Sequence, residues 1–385
     1  MWNPIWHQAI TRSFLDGKAF GWGKTIVFSV HTPVDGMKIR FRFSNRLGSE
    51  PYEIGQMAVL SEGKSYPVTL EGKTAFSIPT GGCTFSDEIP VPVLADSDLE
   101  IRMYYTSRII DSNMIEAGAS LLPGNQVEAS SLRFGKPILA RLMGVYNAIP
   151  GLDLVEVFSE EETTRSIVAF GDSITALSKW TKPLSERLEN AFGGAYVLLN
   201  SGISGNCLLY EPEGLFGPVF GEMGTKRFAR DVLEIPNLYA VIFGLGVNDV
   251  SYYTEQTKDV ICLENYRKAV EEMAKALHER GVRVIMQTIS PRLGVAPTMG
   301  KYTRAMEEQR LLFNEWIRSE AEKPSGLFDY CFDAEAVVRE EHPDGYYYGK
   351  GLHMGDRLHP NARGGRMLAE AFDLGALTGE EALRV

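Results

Sequence analysis

The chain has 385 residues, 44% of them hydrophobic, and its 39 basic and 50 acidic side chains give a formal net charge of -11. That charge argues against nucleic acids and anionic membranes as partners, because phosphates and lipid headgroups repel an acidic protein. The length favours two domains, and the composition is ordinary for a globular protein.

The cysteines and the first residues predict the cellular compartment. The four cysteines are widely scattered and form no CxxC pair, which is typical of reduced thiols rather than of a zinc or redox motif. The opening stretch, MWNPIWHQAITRSF, lacks the cationic start and apolar run of a signal peptide, and no apolar stretch is long enough to span a membrane. We therefore expect a cytoplasmic protein.

The first part of the chain, from about residue 25 to 145, has the period-two pattern of half-buried β-strands. Apolar and charged residues alternate in KIRFRFSN (38–45) and in DLEIRMYYTS (98–107). Turn residues such as those of PVDG (33–36) separate the runs. This pattern predicts an antiparallel β-sandwich, jelly-roll-like, over residues 1–155.

The pattern changes after residue 165, where apolar runs alternate with helical segments. The runs are SIVAFG (166–171), YVLLNSG (196–202), YAVIFGLG (239–246), VRVIMQTIS (282–290) and LFDYCFD (327–333). An amphipathic helix is predicted over 259–281, ending at Gly281. We therefore expect an α/β domain over residues 156–385, built on a doubly wound parallel sheet with its ligands at the carboxyl ends of the strands.

Small and polar residues follow three consecutive predicted strands. Gly171, Asp172 and Ser173 follow the first, NSGISGN (200–206) ends the second, and GVND (246–249) follows the third. Because the carboxyl ends of parallel strands meet at one edge of the sheet, these residues are expected to form one site.

Ser173 is a candidate nucleophile, and a serine needs a base, usually histidine. The sequence has six histidines. His359 is preferred because Asp356 precedes it by three residues in GDRLHPN, so that the carboxylate can hold one ring nitrogen while the other faces the serine. The other five lie in the sandwich half, at a helix end, in an exposed segment, or without a close upstream carboxylate: His7, His31, His278, His342 and His353.

Three groups could stabilise the oxyanion of an acyl-transfer reaction. They are the backbone N–H of Ser173, the backbone N–H of Gly205, and the side-chain amide of Asn248. Each feature alone is also typical of an ordinary turn, helix cap or loop. The four segments together, in order and at matching strand ends, favour a hydrolase.

These residues resemble the four conserved blocks of the GDSL, or SGNH, hydrolase superfamily. The matching segments are FGDSIT (170–175), NSGISGN (200–206), GLGVND (244–249) and DRLHP (356–360). The resemblance implies a three-layer α/β/α fold of the flavodoxin-like kind, with Ser173 as nucleophile and Asp356 and His359 as acid and base. It also implies Gly205 and Asn248 as oxyanion donors.

A narrower resemblance covers most of the chain. The segments GISGNCLL (202–209) and RFARDVL (227–233) are similar to a two-domain group of bacterial esterases with an N-terminal strand domain, which includes acylhydrolases associated with xylan degradation. One departure lies beside the nucleophile, where ALSKW (176–180) replaces the Asp or Asn with glycine found in many relatives.

We expect a serine esterase that removes small acyl groups, chiefly acetyl, from oligosaccharides and needs no metal or cofactor. Asp172 beside the nucleophile and the aromatic residues Trp180, Tyr210 and Tyr347 are the predicted substrate-binding residues, since sugar rings stack on aromatic faces. The partner is then a small-molecule or oligosaccharide ester. Homo-oligomer formation stays open.

Two alternatives also stay open. A general lipolytic carboxylesterase or thioesterase would need an apolar acyl tunnel, for which Leu208, Leu209, Leu215 and Phe216 are available. A non-enzymatic carbohydrate-binding protein would use the sandwich as its binding module. The segment 290–309 is interpreted as a loop, with a lid over the site as the alternative.

Overall fold

The computed structural model of the protein describes residues 1–12, 23–108, 111–112, 119–132, 149–160, 163–214, 217–253, 263–297, 301–323 and 326–379. The chain divides into two compact units, Met1–Thr164 and Arg165–Val385. The predicted division between residues 155 and 156 falls inside the strand Leu152–Phe158. That strand pairs with Trp2–His7 and Gly36–Ser44, and this long-range pairing holds it in the first unit.

The first unit consists of antiparallel strands. They are β1 Trp2–His7, β2 Thr11–Arg12, β3 Lys24–Thr32, β4 Gly36–Ser44, β5 Tyr52–Ser61, β6 Lys64–Pro67, β7 Phe76–Ile78, β8 Cys83–Phe85, β9 Ile89–Val93, β10 Ser97–Tyr105, β11 Asp111–Ser112, β12 Ser120–Pro123 and β13 Leu152–Phe158. One sheet has the order β1-β13-β4-β8, with β9 also on β4. A second has the order β12-β3-β10-β5-β6, with β7 also on β5, and β2 pairs with β11.

Alternation along the strands builds the core of this unit. Ile39, Phe41 and Phe43 of β4 are buried, and they belong to one apolar cluster that also contains residues of β3, β5 and β10. The cluster therefore joins both sheets, as the predicted sandwich requires. Arg42 departs from the alternation, because it is buried and forms a bidentate hydrogen bond with Asp153.

The second unit is built on a parallel sheet with the order β15-β14-β16-β17-β18. Its strands are β14 Arg165–Gly171, β15 Tyr196–Gly202, β16 Leu238–Gly244, β17 Arg283–Gln287 and β18 Tyr330–Phe332, and a hairpin follows of β19 Arg339–His342 and β20 Gly345–Tyr348. This order is the flavodoxin-like one, and right-handed crossovers on either side of β14 place helices on both faces of the sheet. The predicted α/β fold is confirmed.

The helices of the second unit connect these strands. They are α1 Ser173–Ala176, α2 Thr181–Phe192, α3 Gly224–Phe228, α4 Leu263–His278, α5 Arg304–Ala321, α6 Ala334–Val338, α7 Ala362–Ala371 and α8 Leu374–Thr378, with single helical turns at Gly217–Phe220, Ala229–Leu233 and Asp249–Tyr253. Across the part of the chain that the structure describes, no helix is both long enough and apolar enough to cross a membrane.

The strand register places three glycines side by side at the strand ends. Gly171, the last residue of β14, pairs with Gly202 of β15 and with Gly244 of β16, so the three strands end in a row of glycines. A Cβ atom on Gly202 would lie 2.4 Å from the backbone nitrogen of Ala176 in α1. The glycine row therefore lets α1, which begins at Ser173, pack directly onto the strand ends.

Candidate active site

Ser173, His359 and Asp356 form a continuous hydrogen-bonded line. Ser173 Oγ lies 2.7 Å from His359 Nε2, and His359 Nδ1 lies 2.6 Å from Asp356 Oδ2. When the Nδ1–H group donates to the carboxylate, Nε2 is left to accept from the serine hydroxyl. The three residues that the sequence placed together are thus within hydrogen-bonding distance, and the arrangement can activate a hydroxyl group.

Asp172 caps the helix that begins at Ser173. Its Oδ1 accepts a hydrogen bond from the backbone N–H of Ile174 at 2.9 Å, which is the role of an N-cap aspartate. The side chain is only 1% exposed, so Asp172 does not present a surface to substrate and its predicted substrate-binding role is corrected. Burial raises the pKa of Asp172 to about 7, against the opposing effect of the Ile174 hydrogen bond.

The loop that carries the acid folds back on itself. Asp356 Oδ1 accepts the backbone N–H groups of Leu358 and His359 at 3.0 and 3.1 Å, while Oδ2 holds the imidazole. Burial acts to raise the pKa of the Asp356 carboxyl, but hydrogen bonds from the His359 side chain and from the two N–H groups keep it well below its usual value. The carboxylate therefore stays ionised at neutral pH.

A second histidine supports the same loop. His353 Nδ1 accepts the backbone N–H groups of Gly355 and Arg357 at 3.0 and 3.1 Å, on either side of Asp356. Arg357 has a left-handed backbone with φ of 59°, a conformation that must be held by its surroundings in a non-glycine residue. His353 had been set aside as a base, and its contacts give it a supporting position instead.

The segment predicted as a loop or a lid contacts this acid-bearing loop. The backbone N–H of Ala296 donates to the carbonyl oxygen of Asp356 at 3.0 Å. Residues 298–300 of the segment lie outside the described residues, and α5 begins at Arg304. Its described first part, residues 290–297, therefore packs as a loop against the acid loop.

The predicted oxyanion donors Gly205 and Asn248 lie in the loops that follow β15 and β16. Gly205 has φ of +78°, and a Cβ atom there would lie 2.2 Å from the Phe220 ring, so only glycine fits. Asn248 Nδ2 donates one hydrogen bond to the carbonyl oxygen of Asn206 at 3.0 Å, which leaves its second N–H. Within the described residues, the backbone N–H groups of Ser173 and Gly205 donate to no protein acceptor. Their role towards an oxyanion stays a prediction.

Arg227 is a residue of the site that the sequence reasoning did not assign. It is 0% exposed, and its guanidinium donates to the carbonyl oxygens of Gly171 and Ser201, both at 3.0 Å, and to Asn206 Oδ1 at 2.9 Å. Arg227 therefore joins the ends of β14 and β15 to the loop that carries Gly205 and Asn206. An acidic residue four positions later, Asp231, is the one sequence signal that could have indicated a buried pair.

Asp249, which follows Asn248, is a buried residue of the site to which the sequence assigned no role. Its oxygens accept the backbone N–H groups of Leu208 and Leu209, both at 2.8 Å. Burial raises the pKa of Asp249 to about 6, although these two hydrogen bonds act to lower it. Asp249 thus fixes the chain that follows Gly205 to the segment that carries Asn248.

The predicted aromatic residues have different environments. Trp180 is 1% exposed and stacks on Phe372, with ring centroids 5.6 Å apart, so its predicted contact with substrate is corrected to a packing role. Tyr210 and Tyr347 are half-buried. Tyr347 lies near the acid loop, with the Arg357 guanidinium 5.5 Å from its ring centroid.

The apolar residues predicted for an acyl tunnel are only partly described. Leu208 is buried and packs against Gly224, whereas Leu209 is half-buried. Leu215 and Phe216 lie outside the described residues. Leu208 is therefore part of the core of the second unit.

Residues 169–367, more than half of the chain, match the model of the GDSL-like lipase/acylhydrolase family. The chain belongs to this family, whose members hydrolyse acyl esters. No curated protein matches the sequence significantly.

Several solved structures are similar to part of the chain. A lipolytic G-D-S-L family protein from Desulfitobacterium hafniense is 19% identical, covers 54% of this chain and 97% of its own, and has a TM-score of 0.40. A carbohydrate acetylesterase family member from Sinorhizobium meliloti is 16% identical, with coverage of 56% and 100% and a TM-score of 0.42. An acetyl xylan esterase is 19% identical, with coverage of 54% and 96% and a TM-score of 0.39.

Proposed function

We propose that the protein is a serine esterase that removes small acyl groups, acetyl above all, from oligosaccharides through an acyl-enzyme on Ser173. The observation that carries the proposal is the line of short hydrogen bonds from Ser173 Oγ to His359 and on to Asp356. A carboxylate-oriented imidazole within reach of a serine hydroxyl is the arrangement that generates an oxygen nucleophile at neutral pH.

The reaction proceeds in two matching halves. His359 Nε2 takes the hydroxyl proton as Ser173 Oγ attacks the ester carbonyl carbon, and the N–H groups of Ser173, Gly205 and Asn248 stabilise the oxyanion. The imidazolium then gives its proton to the alcohol oxygen, which leaves. A water molecule attacks the acyl-enzyme with the same assistance and releases the carboxylic acid. Asp356 stabilises the imidazolium and holds its orientation.

Two observations support a small acyl group on a sugar. Leu208 is buried against Gly224, which removes one of the residues available to an acyl tunnel. Tyr210 and Tyr347 are half-buried, so part of each ring is open to a ligand, and amphipathic aromatic rings suit such contacts. The lipolytic and binding-protein alternatives are separated from this proposal by activity measurements.

The test compares p-nitrophenyl acetate, butyrate and octanoate with acetylated xylo- and manno-oligosaccharides. We expect acetate release from the sugars by the wild type and a loss of at least about 10³-fold in Ser173→Ala. Ser319→Ala is the matched control, because it removes an exposed hydroxyl from α5. Preference for octanoate would move the protein to the lipolytic class. An unchanged rate in Ser173→Ala, or no turnover by the wild type, would refute the proposal and leave sugar binding to be measured.

A further inference from the structure

A small, partly open cavity lies beside the turn that carries Ser173. It has about 10 Å³ of room for the centre of a water molecule, which is the space that one water requires. Its walls come from the ends of β14, β16 and β17 and from the start of α1, and they include Asp172, Gly244, Gln287 and Ser290.

Two buried polar groups in the cavity wall have no hydrogen-bond partner within the described residues. Gln287 is 5% exposed and Ser290 is 3% exposed, and the atoms concerned are Gln287 Oε1 and Ser290 Oγ. Gln287 Oε1 faces Gly244, since a Cβ atom on that glycine would lie 3.5 Å from it. Buried polar atoms in proteins are nearly always hydrogen-bonded, to an ordered water where no protein group is in reach.

Asp172 contributes the third polar group to the cavity wall. Its Oδ1 is used by the helix cap, and its second oxygen takes no part in that cap. With a pKa raised by burial to about 7, the carboxyl exists in both protonation states near neutral pH, so it can donate or accept a hydrogen bond. The charged or titratable groups that influence it are His359, Asp249, Arg292, Arg227, Cys207 and Tyr266.

We propose that this cavity binds one water molecule, which joins the Asp172 carboxyl to Gln287 Oε1 and Ser290 Oγ and makes Gln287 and Ser290 positioning residues for the nucleophile. A water molecule can donate two hydrogen bonds, to the amide and carboxyl oxygens, and accept one from the serine hydroxyl. Three bonds are the usual number for a buried water. This catalytic consequence rests on the proposed esterase function.

The water would affect the reaction through Asp172, the N-cap of α1. Asp172 fixes the first turn of α1, and Ser173 is the first residue of that helix. Through the water, Gln287 at the end of β17 would hold the orientation of Asp172, and with it the direction of Ser173 Oγ towards His359. Small displacements of a nucleophile reduce the rate of the chemical step, because the reacting atoms must be held in line.

Gly244 provides a test that removes no polar group. In Gly244→Ala the new methyl would lie 3.4 Å from Thr175 Oγ1 and 3.5 Å from Gln287 Oε1, which is ordinary contact, and it would occupy the space of the water. We expect kcat to fall about tenfold with KM unchanged. Gly244→Ser adds a hydroxyl in place of the water, and we expect it to recover most of the loss.

A crystal structure of the wild type at high resolution tests the water directly. We expect a water within hydrogen-bonding distance of Asp172, Gln287 Oε1 and Ser290 Oγ, and its absence from the alanine variant. A dry wild-type cavity would overturn the proposal, as would a wild-type kcat in Gly244→Ala or a serine variant no better than alanine. The crystal structure tests the water site without any substrate, and the Ser173→Ala variant tests the esterase function. If the water is present but Ser173→Ala loses no activity, the esterase function and the catalytic role of the water are overturned, whereas the water site stands.

Discussion

Arg227 Nη2 donates a hydrogen bond to the carbonyl oxygen of Gly171, 3.0 Å away, at the point where β14 turns into the nucleophile helix. The same guanidinium donates to Asn206 Oδ1, in the loop that carries Gly205, and to Asp231 Oδ2. A fully buried, planar group with several fixed donors therefore sets the distance between two parts of the site.

Arg227→Lys keeps the positive charge but removes the planar set of N–H donors, so it tests which of the two stabilises the site. An ammonium group cannot serve all four acceptors, so we expect the free energy of unfolding to fall by about 2–4 kcal/mol and kcat to fall with it. Urea unfolding and steady-state kinetics would measure both. Arg280→Lys, on an exposed side chain, is the control and should change stability by less than about 0.5 kcal/mol. Equal effects of the two variants would contradict the role given to Arg227.

Gly205 should tolerate no side chain. Gly205→Ala adds backbone strain at φ of +78° and a clash with Phe220, so we expect a large loss of kcat, together with reduced stability. Gly193→Ala is a matched control, because that glycine ends α2 at φ of 56° with nothing within 4 Å of an added Cβ. The control should lose about 1 kcal/mol of stability and keep its activity. Full activity in Gly205→Ala would show that the turn does not shape the oxyanion site.

Asp356→Asn should remove the orienting carboxylate while keeping the loop. The asparagine oxygen can still accept the backbone N–H groups of Leu358 and His359, but an amide no longer stabilises an imidazolium. We expect kcat to fall by about 10⁴-fold with little change in the urea midpoint. Glu264→Gln, an exposed carboxylate at the start of α4, is the control. A loss below about tenfold would argue for a different base arrangement.

His353 offers a test of the loop that carries the acid. His353→Phe removes the acceptor for the N–H groups of Gly355 and Arg357 but keeps a ring, so we expect kcat to fall about tenfold through misplacement of Asp356. His353→Asn keeps an acceptor and should lose less. Kinetics of the two variants at one pH would suffice. The interpretation fails if phenylalanine and asparagine behave alike.

The raised pKa of Asp172 predicts that the free energy of unfolding depends on pH. Because burial raises its folded-state pKa to about 7, its contribution is fully present below the unfolded pKa of about 3.9 and is lost as the pH rises through 7. Asp172→Asn keeps the cap on α1 and does not titrate. Its stability relative to the wild type should therefore increase by about 2–3 kcal/mol between pH 5 and pH 8 in urea unfolding. A difference that is constant with pH would exclude a raised pKa.

The sheet and the Asp356–His359 pair could be predicted because they rest on local patterns. Apolar runs marked the five parallel strands, and the polar residues directly after them had to meet at one edge. The spacing of Asp356 and His359 was short enough to indicate a loop that folds back on itself. In both cases the informative residues are neighbours in sequence. The pairing of Ser173 with His359, which are far apart in the chain, follows instead from elimination among the six histidines and from the family resemblance.

The rest depended on contacts between distant residues. Asp231, four positions after Arg227, could have indicated a buried pair, but it does not show that the guanidinium contacts the ends of β14 and β15. The sequence predicts Trp180 as a sugar-binding ring because it does not show that Trp180 stacks on Phe372, which lies far along the chain. Similarly, β13 belongs to the first unit only through pairing with β1 and β4, which no period in its own sequence reveals.

The stack of Trp180 on Phe372 also bears on the biosynthesis of the protein. Trp180 lies just before α2, a few residues after Ser173 in the sequence. Phe372 directly follows α7, the helix that comes after His359. A chain emerging from the ribosome presents its early residues first, so the parallel strands can pair while the base and the ring that completes this stack are still in the exit tunnel. Nascent chains in which His359 and Phe372 are still inside the tunnel should therefore be inactive.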